Sequence, residues 1–280
     1  MHRRAGQSLP GSPDRHVPLP LTLEFFSATD PGRLRRNNED SVAVDFEACL
    51  VVLADGMGGY NAGEVASNIA TSFIRTELGR WLIQASTQAS DADVMRALDI
   101  CVHNANRTIF NAACSNSQYA GMGTTLVVGV FRQGRLLMGH VGDSRGYRWR
   151  DGQLTQITRD HSLLQEQIDA GLITPQQAAM SANKNLVTRA LGVDDTVQLE
   201  AHAHDLQPGD LILLCSDGLC DMLDDELIAE LLRAGTTLES TTAALIDAAN
   251  QAGGKDNIAV ILARVSGHVG ASRAWWPFKR

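Results

Sequence analysis

Residues 50–59 read LVVLADGMGG, and this stretch sets the pattern for much of the chain. A run of apolar residues that favour β-structure leads into Asp55 and Gly56, which predicts a buried strand with a carboxylate at its end. Because successive side chains of a strand point to opposite faces, an uninterrupted apolar run predicts a strand covered on both sides. An aspartate beside a glycine is an ordinary turn former when it occurs once.

The same design recurs along the chain, with aspartates at the edges of strand-like runs. They are Asp55, Asp143, Asp217 and Asp256, and a fifth acidic site, Glu39 with Asp40, directly precedes the strand-like SVAVDF. Strands of one sandwich bring their ends together, so these carboxylates are expected to converge. Converging carboxylates repel one another unless cations lie between them.

Such a cluster predicts a particular metal chemistry. Ligand sets made only of oxygen favour hard ions such as Mg²⁺ or Mn²⁺ over zinc or copper. Two such ions about 3.5–4 Å apart can hold a phosphoryl group and lower the pKa of a water between them. The glycine beside Asp55 leaves room for the backbone to approach an ion without a Cβ in the way. Spacing alone therefore predicts metal-assisted hydrolysis of a phosphoester.

Strand-like and helix-like segments occur in blocks. Apolar residues at helical spacing predict two long helices, at about 62–83 and 90–115, and further helices are expected at 162–170, 224–233 and 238–251. Short runs rich in Val and Leu predict strands at 41–46, 48–54, 124–131, 134–141, 144–150, 196–203, 210–215 and 258–265. This arrangement indicates an α+β fold in which two stacked sheets are covered by helices, in place of a wound βαβ repeat.

Composition predicts one globular domain with short extensions. The sequence has 280 residues, of which 44% are hydrophobic and 20% charged, so it can bury a sizeable core. The globular pattern predicts a domain over 21–266, a flexible N-terminal arm over 1–20, and a C-terminal tail over 267–280 that carries Trp275 and Trp276.

Net charge and cysteine spacing limit which binding partners and which cellular compartment are expected. The net charge of −8 argues against nucleic acid and anionic membranes as general partners. No apolar run approaches the roughly 18 residues of a spanning helix, so stable membrane insertion is not expected. The five cysteines show no CxxC or zinc spacing, and the first twenty residues lack the apolar core of a secretory signal. These features predict a cytoplasmic protein with reduced thiols.

Taken in order, the motifs resemble those of the metal-dependent protein phosphatases of type 2C, in their bacterial form. The ordered set covers about residues 22–265 and is highly specific. It includes RRNNEDS (35–41), ADGMGG (54–59), GMGTTL (121–126), HVGDSRGYR (140–148), LVTRALG (186–192), SDGL (216–219) and GGKDNIAV (253–260). The resemblance implies a four-layer αββα sandwich of two antiparallel β-sheets flanked by helices, with metals in a cleft at one end.

The resemblance also implies metal ligands. A pair of Mn²⁺ or Mg²⁺ ions would be held by four aspartates, with Asp55 bridging and the carbonyl of Gly56 contributing. The four are Asp40, Asp55, Asp217 and Asp256, and Asp143 with Asp217 resembles a weaker third metal site. In that scheme a hydroxide that bridges the metals attacks phosphorus directly.

Two further roles follow from the same resemblance. Glu39 resembles the acid that holds a metal-bound water. Arg35, five residues before Asp40, matches the arginine that binds the substrate phosphate through its planar guanidinium.

The chain departs from its animal relatives at the general acid. Met57 stands where they have a histidine, which leaves a metal-bound water, His161 or His140 as the alternatives. His140 lies in an apolar strand, where a hydrogen-bonded structural role is favoured. Residues 160–188 correspond to the flap beside the site, and MSANKN (180–185) lacks the histidine-proline usual there.

Three functions compete. The first is a protein phosphatase that hydrolyses phosphoserine and phosphothreonine and reverses a bacterial eukaryotic-like Ser/Thr kinase, acting as a monomer on phosphorylated proteins. The alternative is a catalytically silent phosphoprotein-binding module on the same fold, which would be expected to lose metal carboxylates or the phosphate arginine; all are present here. A metal-dependent nuclease would need a basic groove, which the charge of −8 disfavours.

Overall fold

The computed structural model describes residues 21–59, 61–179, 181 and 186–267. The predicted arm over 1–20 and the tail beyond Gly267, with its two tryptophans, lie outside the described residues, as does most of the stretch 180–185. The domain boundaries remain a prediction.

Within the described residues, eleven strands form two sheets, and all their pairings are antiparallel. The first sheet has the order β1 (Leu21–Asp30), β11 (Ile258–Gly267), β10 (Leu211–Cys215), β7 (Arg145–Arg150) and β8 (Gln153–Gln156). The second has the order β2 (Asp40–Asp45), β3 (Leu50–Met57), β5 (Leu126–Arg132), β6 (Arg135–Val141) and β9 (Glu200–Asp205), and the short β4 (Gly123–Thr124) pairs with β3.

Helices cover the outer face of each sheet. The second sheet packs against α1 (Ala62–Ala85) and α2 (Asp91–Ser115), and the first against α6 (Asp225–Ala234) and α7 (Leu238–Gln251). Shorter helices lie between them: α3 (Leu163–Asp169), α4 (Pro175–Ala179) and α5 (Asp217–Cys220). Local sequence sets the helix starts, because α2 begins with a capping box of Ser90 and Asp93, and α7 with one of Thr237 and Ser240. No helix in the described part of the chain is long and apolar enough to span a membrane.

Alternation along the strands divides the core into three layers. In β3, Leu50 and Val52 face α1 and α2, whereas Val51 and Leu53 face the other sheet. Even-numbered residues of β11 from 258 to 262 pack against α6 and α7, and odd-numbered residues from 259 to 265 fill the space between the sheets. Both faces of the central strands are therefore buried, and the predicted four-layer αββα sandwich is confirmed.

The sequence-based elements need three corrections. The pattern misses β1 and β8, which are edge strands of the first sheet and carry partly exposed, less apolar residues. The strand expected at 196–203 begins only at Glu200, because residues 196–199 line a cavity and lie outside the sheet. The short helices α4 and α5 are too brief to show a helical period in sequence.

Candidate active site

Five aspartates are placed by strand ends at one end of the sandwich. Asp40 opens β2 and lies directly opposite Asp55 in the antiparallel register with β3. Asp217 follows β10 and starts α5, and Asp256 lies two residues before β11. Asp143 lies two residues after β6 ends. The structure thus brings together aspartates that are up to about 200 residues apart in sequence.

Burial and mutual repulsion raise the pKa values of four of these carboxylates. Burial raises the pKa of Asp55 well above its usual range, and the carboxylates of Asp40, Asp217, Asp143 and Asp256 raise it further. Burial, followed by neighbouring carboxylates, does the same to the pKa of Asp217. Burial also raises the pKa of Asp40 to about 7 and that of Asp143 to about 6. The cluster therefore cannot carry its full negative charge at neutral pH without nearby cations.

The hydrogen bonding of Asp40 fits a bound cation. Its Oδ2 accepts a 2.7 Å hydrogen bond from the hydroxyl of Ser216, which itself accepts a 2.8 Å bond from the N–H of Ala259. Its Oδ1 is buried and has no hydrogen-bond partner among the residues that the structure describes. A buried carboxylate oxygen without a partner is costly, and a donor set made of carboxylate oxygens suits Mg²⁺ or Mn²⁺.

Asn257 fastens the loop that carries Glu39 and Arg35. Its Oδ1 accepts from the N–H of Glu39 at 2.8 Å, and its Nδ2 donates to the carbonyls of Pro31 and Asn37 at 3.0 and 2.9 Å. Arg35 reaches across the same junction, where its Nη2 donates to Asp256 Oδ2 at 2.7 Å. Both predicted residues therefore border the aspartate cluster.

Two threonines hold the backbone around Asp55. The N–H of Asp55 donates to Thr125 Oγ1 at 3.0 Å, and the hydroxyl of Thr124 donates to the carbonyl of Asp55 at 2.8 Å. Thr125 also shares a 2.8 Å hydrogen bond with Ser144, beside Asp143. The threonines of GMGTTL thus connect two of the acidic segments, a role that the sequence does not reveal.

Gly56 is required by close packing. A Cβ built on this residue would lie 2.1 Å from the carbonyl oxygen of Gly63 and 2.7 Å from that of Glu39. The bare backbone lets the start of α1 pack directly against the end of β3. The carboxylate of Glu39 lies at the same junction, where a Cβ on Gly63 would meet its Oε2 at 2.7 Å.

Two buried histidines have structural hydrogen bonds. His140 Nε2 contacts the backbone of Arg159, with its carbonyl oxygen at 2.8 Å and its N–H at 3.3 Å. His161 Nδ1 accepts from the N–H of Gly142 at 3.1 Å, so in the neutral ring Nε2 carries the proton and donates to Glu200 at 3.2 Å. Burial lowers the pKa of both histidines, in keeping with neutral rings. Both rings are held by hydrogen bonds to the backbone, which supports the structural role predicted for His140.

These two histidines and Glu200 do not form a ready metal site. The two imidazole rings stack with centroids 4.8 Å apart and an interplanar angle of 13°. A metal ligand donates in the plane of its ring, and one ion cannot lie in two stacked, nearly parallel planes. Arg145 is also structural, since it forms an ion pair with Asp160 at 2.7 Å.

Two depressions border the segment after Asp55. One, of about 1290 Å³, lies along the start of α1 and residues 117–120. The other, of about 570 Å³, lies between Met57, α2 and residues 187–199. The aspartates line neither of them, so both lie beside the cluster and not within it.

Sequence comparison decides the family. The family model of protein phosphatase 2C matches residues 35–263, most of the chain. The chain belongs to the protein phosphatase 2C family. The serine/threonine protein phosphatase PstP of Mycobacterium tuberculosis is 40% identical over 245 residues, which are 88% of this chain and 45% of PstP. The chain thus spans about half the length of that relative. The serine/threonine phosphatase stp of Listeria monocytogenes is 37% identical over 238 residues, which are 84% of this chain and 92% of stp.

Solved structures agree with this assignment to the protein phosphatase 2C family. The crystal structure of M. tuberculosis PstP matches with a TM-score of 0.80 and 38% identity, covering 87% of this chain and 99% of that one. A structure of the catalytic domain of PstP in complex with 2 manganese ions matches with a TM-score of 0.76 and 38% identity, covering 88% of this chain and 100% of that one. The predicted family is confirmed.

The sequence misses the residues that support the aspartates. Ser216 and Asn257 each stand beside a predicted ligand, and both bind the backbone or side chain of another acidic segment. Their only sequence signal is their position next to Asp217 and Asp256.

Proposed function

We propose that this chain is a metal-dependent protein phosphatase that hydrolyses phosphoserine and phosphothreonine on proteins. The observation that carries the proposal is the convergence of five aspartates, four of which have raised pKa values that favour bound cations, in a chain of the protein phosphatase 2C family. The related PstP binds two manganese ions in its crystal structure, which supports the same metal chemistry here.

We assign the metal ligands to the aspartates of the cluster. Asp40, Asp55, Asp217 and Asp256 would hold two Mn²⁺ or Mg²⁺ ions together with the carbonyl of Gly56, and Asp143 with Asp217 would form a third, weaker site. Bound there, the ions would neutralise the phosphoryl charge and activate the attacking water. The unpartnered Oδ1 of Asp40 supports this assignment.

The residues around the ligands would orient the reactants. Ser216 binds one oxygen of Asp40, which would leave the other oxygen free to bind a cation. Glu39 is held through its backbone by Asn257, and its carboxylate lies at the junction with Gly63, from which it would hold a water close to the cluster. Arg35 is half-exposed at the rim and offers its guanidinium to a phosphate.

Arg35→Ala is expected to raise the KM for a phosphothreonine peptide about tenfold or more, because a charge-assisted hydrogen bond contributes about 1.5–3 kcal/mol. The matched control is Arg36→Ala, which removes an exposed arginine at the next position. Steady-state kinetics on both variants checks the prediction. An unchanged KM in Arg35→Ala, or an equal rise in Arg36→Ala, would remove Arg35 from phosphate binding.

The direct test is hydrolysis of p-nitrophenyl phosphate and of a phosphothreonine peptide by the purified full chain, after metal removal with EDTA and titration with Mn²⁺ or Mg²⁺. We expect activity that depends on the metal. The competing function is a catalytically silent phosphoprotein-binding module on the same fold. A folded protein that binds Mn²⁺ and hydrolyses neither substrate would favour that module.

The cellular role extends the same proposal. We infer that the substrates are the phosphorylated targets of a bacterial eukaryotic-like Ser/Thr kinase, and that the phosphatase domain over 21–266 acts as a monomer in the cytoplasm. The five free cysteines are in keeping with a reducing compartment.

A further inference from the structure

A pocket of about 570 Å³ beside Met57 has no role in the chemistry described above. Met57 forms one side of it, α2 forms the second through Asp99 and His103, and the segments 187–190, 193–194 and 196–199 form the third. We call it the Met57 pocket. Because Met57 follows Asp55 by two residues, the pocket adjoins the aspartate cluster on the side that faces α2.

The Met57 pocket combines an apolar lining with an acidic rim. Val187, Val193 and Val197 contribute apolar surface to it, and Val197 is almost fully buried. Asp99 and Asp194 contribute carboxylates, and both residues are exposed. Such a lining suits a side chain that has a long aliphatic stem and a charged end.

The acidic rim is available for a ligand. Within the described residues, Asp194 has no ion pair, and the only side chain within ion-pair distance of Asp99 is His103, with Nδ1 3.6 Å from Oδ1. Among the described lining residues, the one arginine is Arg189, whose Nη1 lies 3.4 Å from Nε2 of His161. His161 in turn binds Glu200, so a carboxylate outside the pocket lies close to Arg189.

The segment that carries Asp194 is fixed before any ligand binds. Asn106 of α2 accepts from the N–H of Gly192 at 2.7 Å and donates to the carbonyl of Asp194 at 3.0 Å. Asn106 is fully buried, and both bonds attach this turn to α2. A carboxylate on a fixed turn loses less entropy on pairing than one on a loose loop.

We propose that the Met57 pocket binds an arginine or lysine side chain of the protein substrate, close in sequence to the phosphorylated residue. The inference rests on the proposed phosphatase function and adds a substrate class to it: phosphoproteins with a basic residue beside the phosphoserine or phosphothreonine. The aliphatic stem packs on the valines, and the cationic group pairs with Asp99 and Asp194. A basic residue beside the phosphorylated one would also be attracted by the net negative charge of the chain.

The test compares phosphothreonine peptides that carry arginine, alanine or glutamate at each flanking position in turn, with the Mn²⁺-loaded full chain. The readout is the ratio of kcat/KM for the arginine peptide to that for the alanine peptide, which cancels any general change in activity. At one flanking position we expect a ratio of about tenfold, since exposed charge pairs contribute up to about fivefold each. The ratio should approach one at about 1 M salt, where the Debye length is about 3 Å.

Substitutions of the two pocket carboxylates test whether the preference for arginine peptides arises in the Met57 pocket. Asp194→Asn and Asp99→Asn should each lower the arginine-to-alanine ratio about threefold, and Asp194→Lys should make the glutamate peptide the better substrate. Asp195→Asn is the matched control, because it removes the neighbouring exposed carboxylate, which does not line the pocket. It should keep the wild-type ratio.

The outcomes separate this inference from the function on which it rests. Metal-dependent hydrolysis with equal kcat/KM for all three peptides at every position overturns the pocket assignment and leaves the phosphatase standing. A ratio that falls equally in Asp195→Asn and Asp194→Asn also overturns it, because the effect would then be one of general charge. No hydrolysis of any peptide or of p-nitrophenyl phosphate overturns both.

Discussion

Asp217→Asn is expected to lower the metal-dependent kcat/KM for p-nitrophenyl phosphate by at least about a hundredfold. The substitution keeps the volume of the side chain but removes the charge of a proposed ligand. Residues that merely orient metal ligands already contribute about ten- to a hundredfold, so loss of a ligand should exceed that range. Asp247→Asn serves as the control, since it removes an exposed carboxylate on the outer helix α7. We expect the control to keep wild-type kinetics.

A second measurement on the same variant separates a ligand from a structural residue. Burial and neighbouring carboxylates raise the pKa of Asp217, so its charged form destabilises the folded protein when no metal is bound. Asp217→Asn should therefore raise the Tm of the EDTA-treated protein and reduce the increase in Tm produced by Mn²⁺. A variant with a lower Tm in EDTA and full activity with Mn²⁺ would contradict the assignment.

Much of the fold follows from sequence because its central strands are buried on both faces. Segments such as LVVLA and IAVILARV are apolar at every position that the two covering layers require, so their pattern identifies both strand and stacking. Edge strands lack this signal. β8 is four residues long and largely polar, and β1 is only partly buried. Their positions depend on pairing with β7 and β11, which no local pattern records.

The residues of the site also differ in how clearly the sequence reveals them. The aspartates can be found because each stands beside a strand and the design repeats. The residues that support them use ordinary polar side chains, and their partners lie far away in sequence: Ser216 binds Asp40, and Asn257 binds Glu39. A hydrogen bond between residues separated by more than 170 positions leaves no periodic signal. The Met57 pocket escapes detection for the same reason, because three separate segments form its walls.

Removing divalent metal is expected to destabilise the protein substantially. Each site occupied at a hundred times its Kd adds about 2.7 kcal/mol to the free energy of unfolding, so two sites add about 5 kcal/mol. For a domain of this size, 1 kcal/mol corresponds to about 2–4 °C in Tm. Addition of Mn²⁺ to the EDTA-treated protein should therefore raise the Tm by about 10 °C or more at neutral pH. Mg²⁺ should act in the same direction, whereas NaCl at matched ionic strength should not.

The pH dependence of this stabilisation follows from the raised pKa values of the cluster. Asp40, with a pKa of about 7, and Asp143, with a pKa of about 6, bind protons more tightly in the folded protein than in the unfolded chain, where an aspartate has a pKa of about 3.9. Their contribution to the stability of the metal-free protein is complete below about pH 4 and is lost as the pH rises through 6 and 7.

Metal binding has the opposite trend, because protons compete with the ions for the same carboxylates. The difference in Tm between the Mn²⁺-loaded and EDTA-treated protein should therefore be larger at pH 7.5 than at pH 5. A difference that shrinks as the pH rises would mean that these carboxylates do not hold the metal.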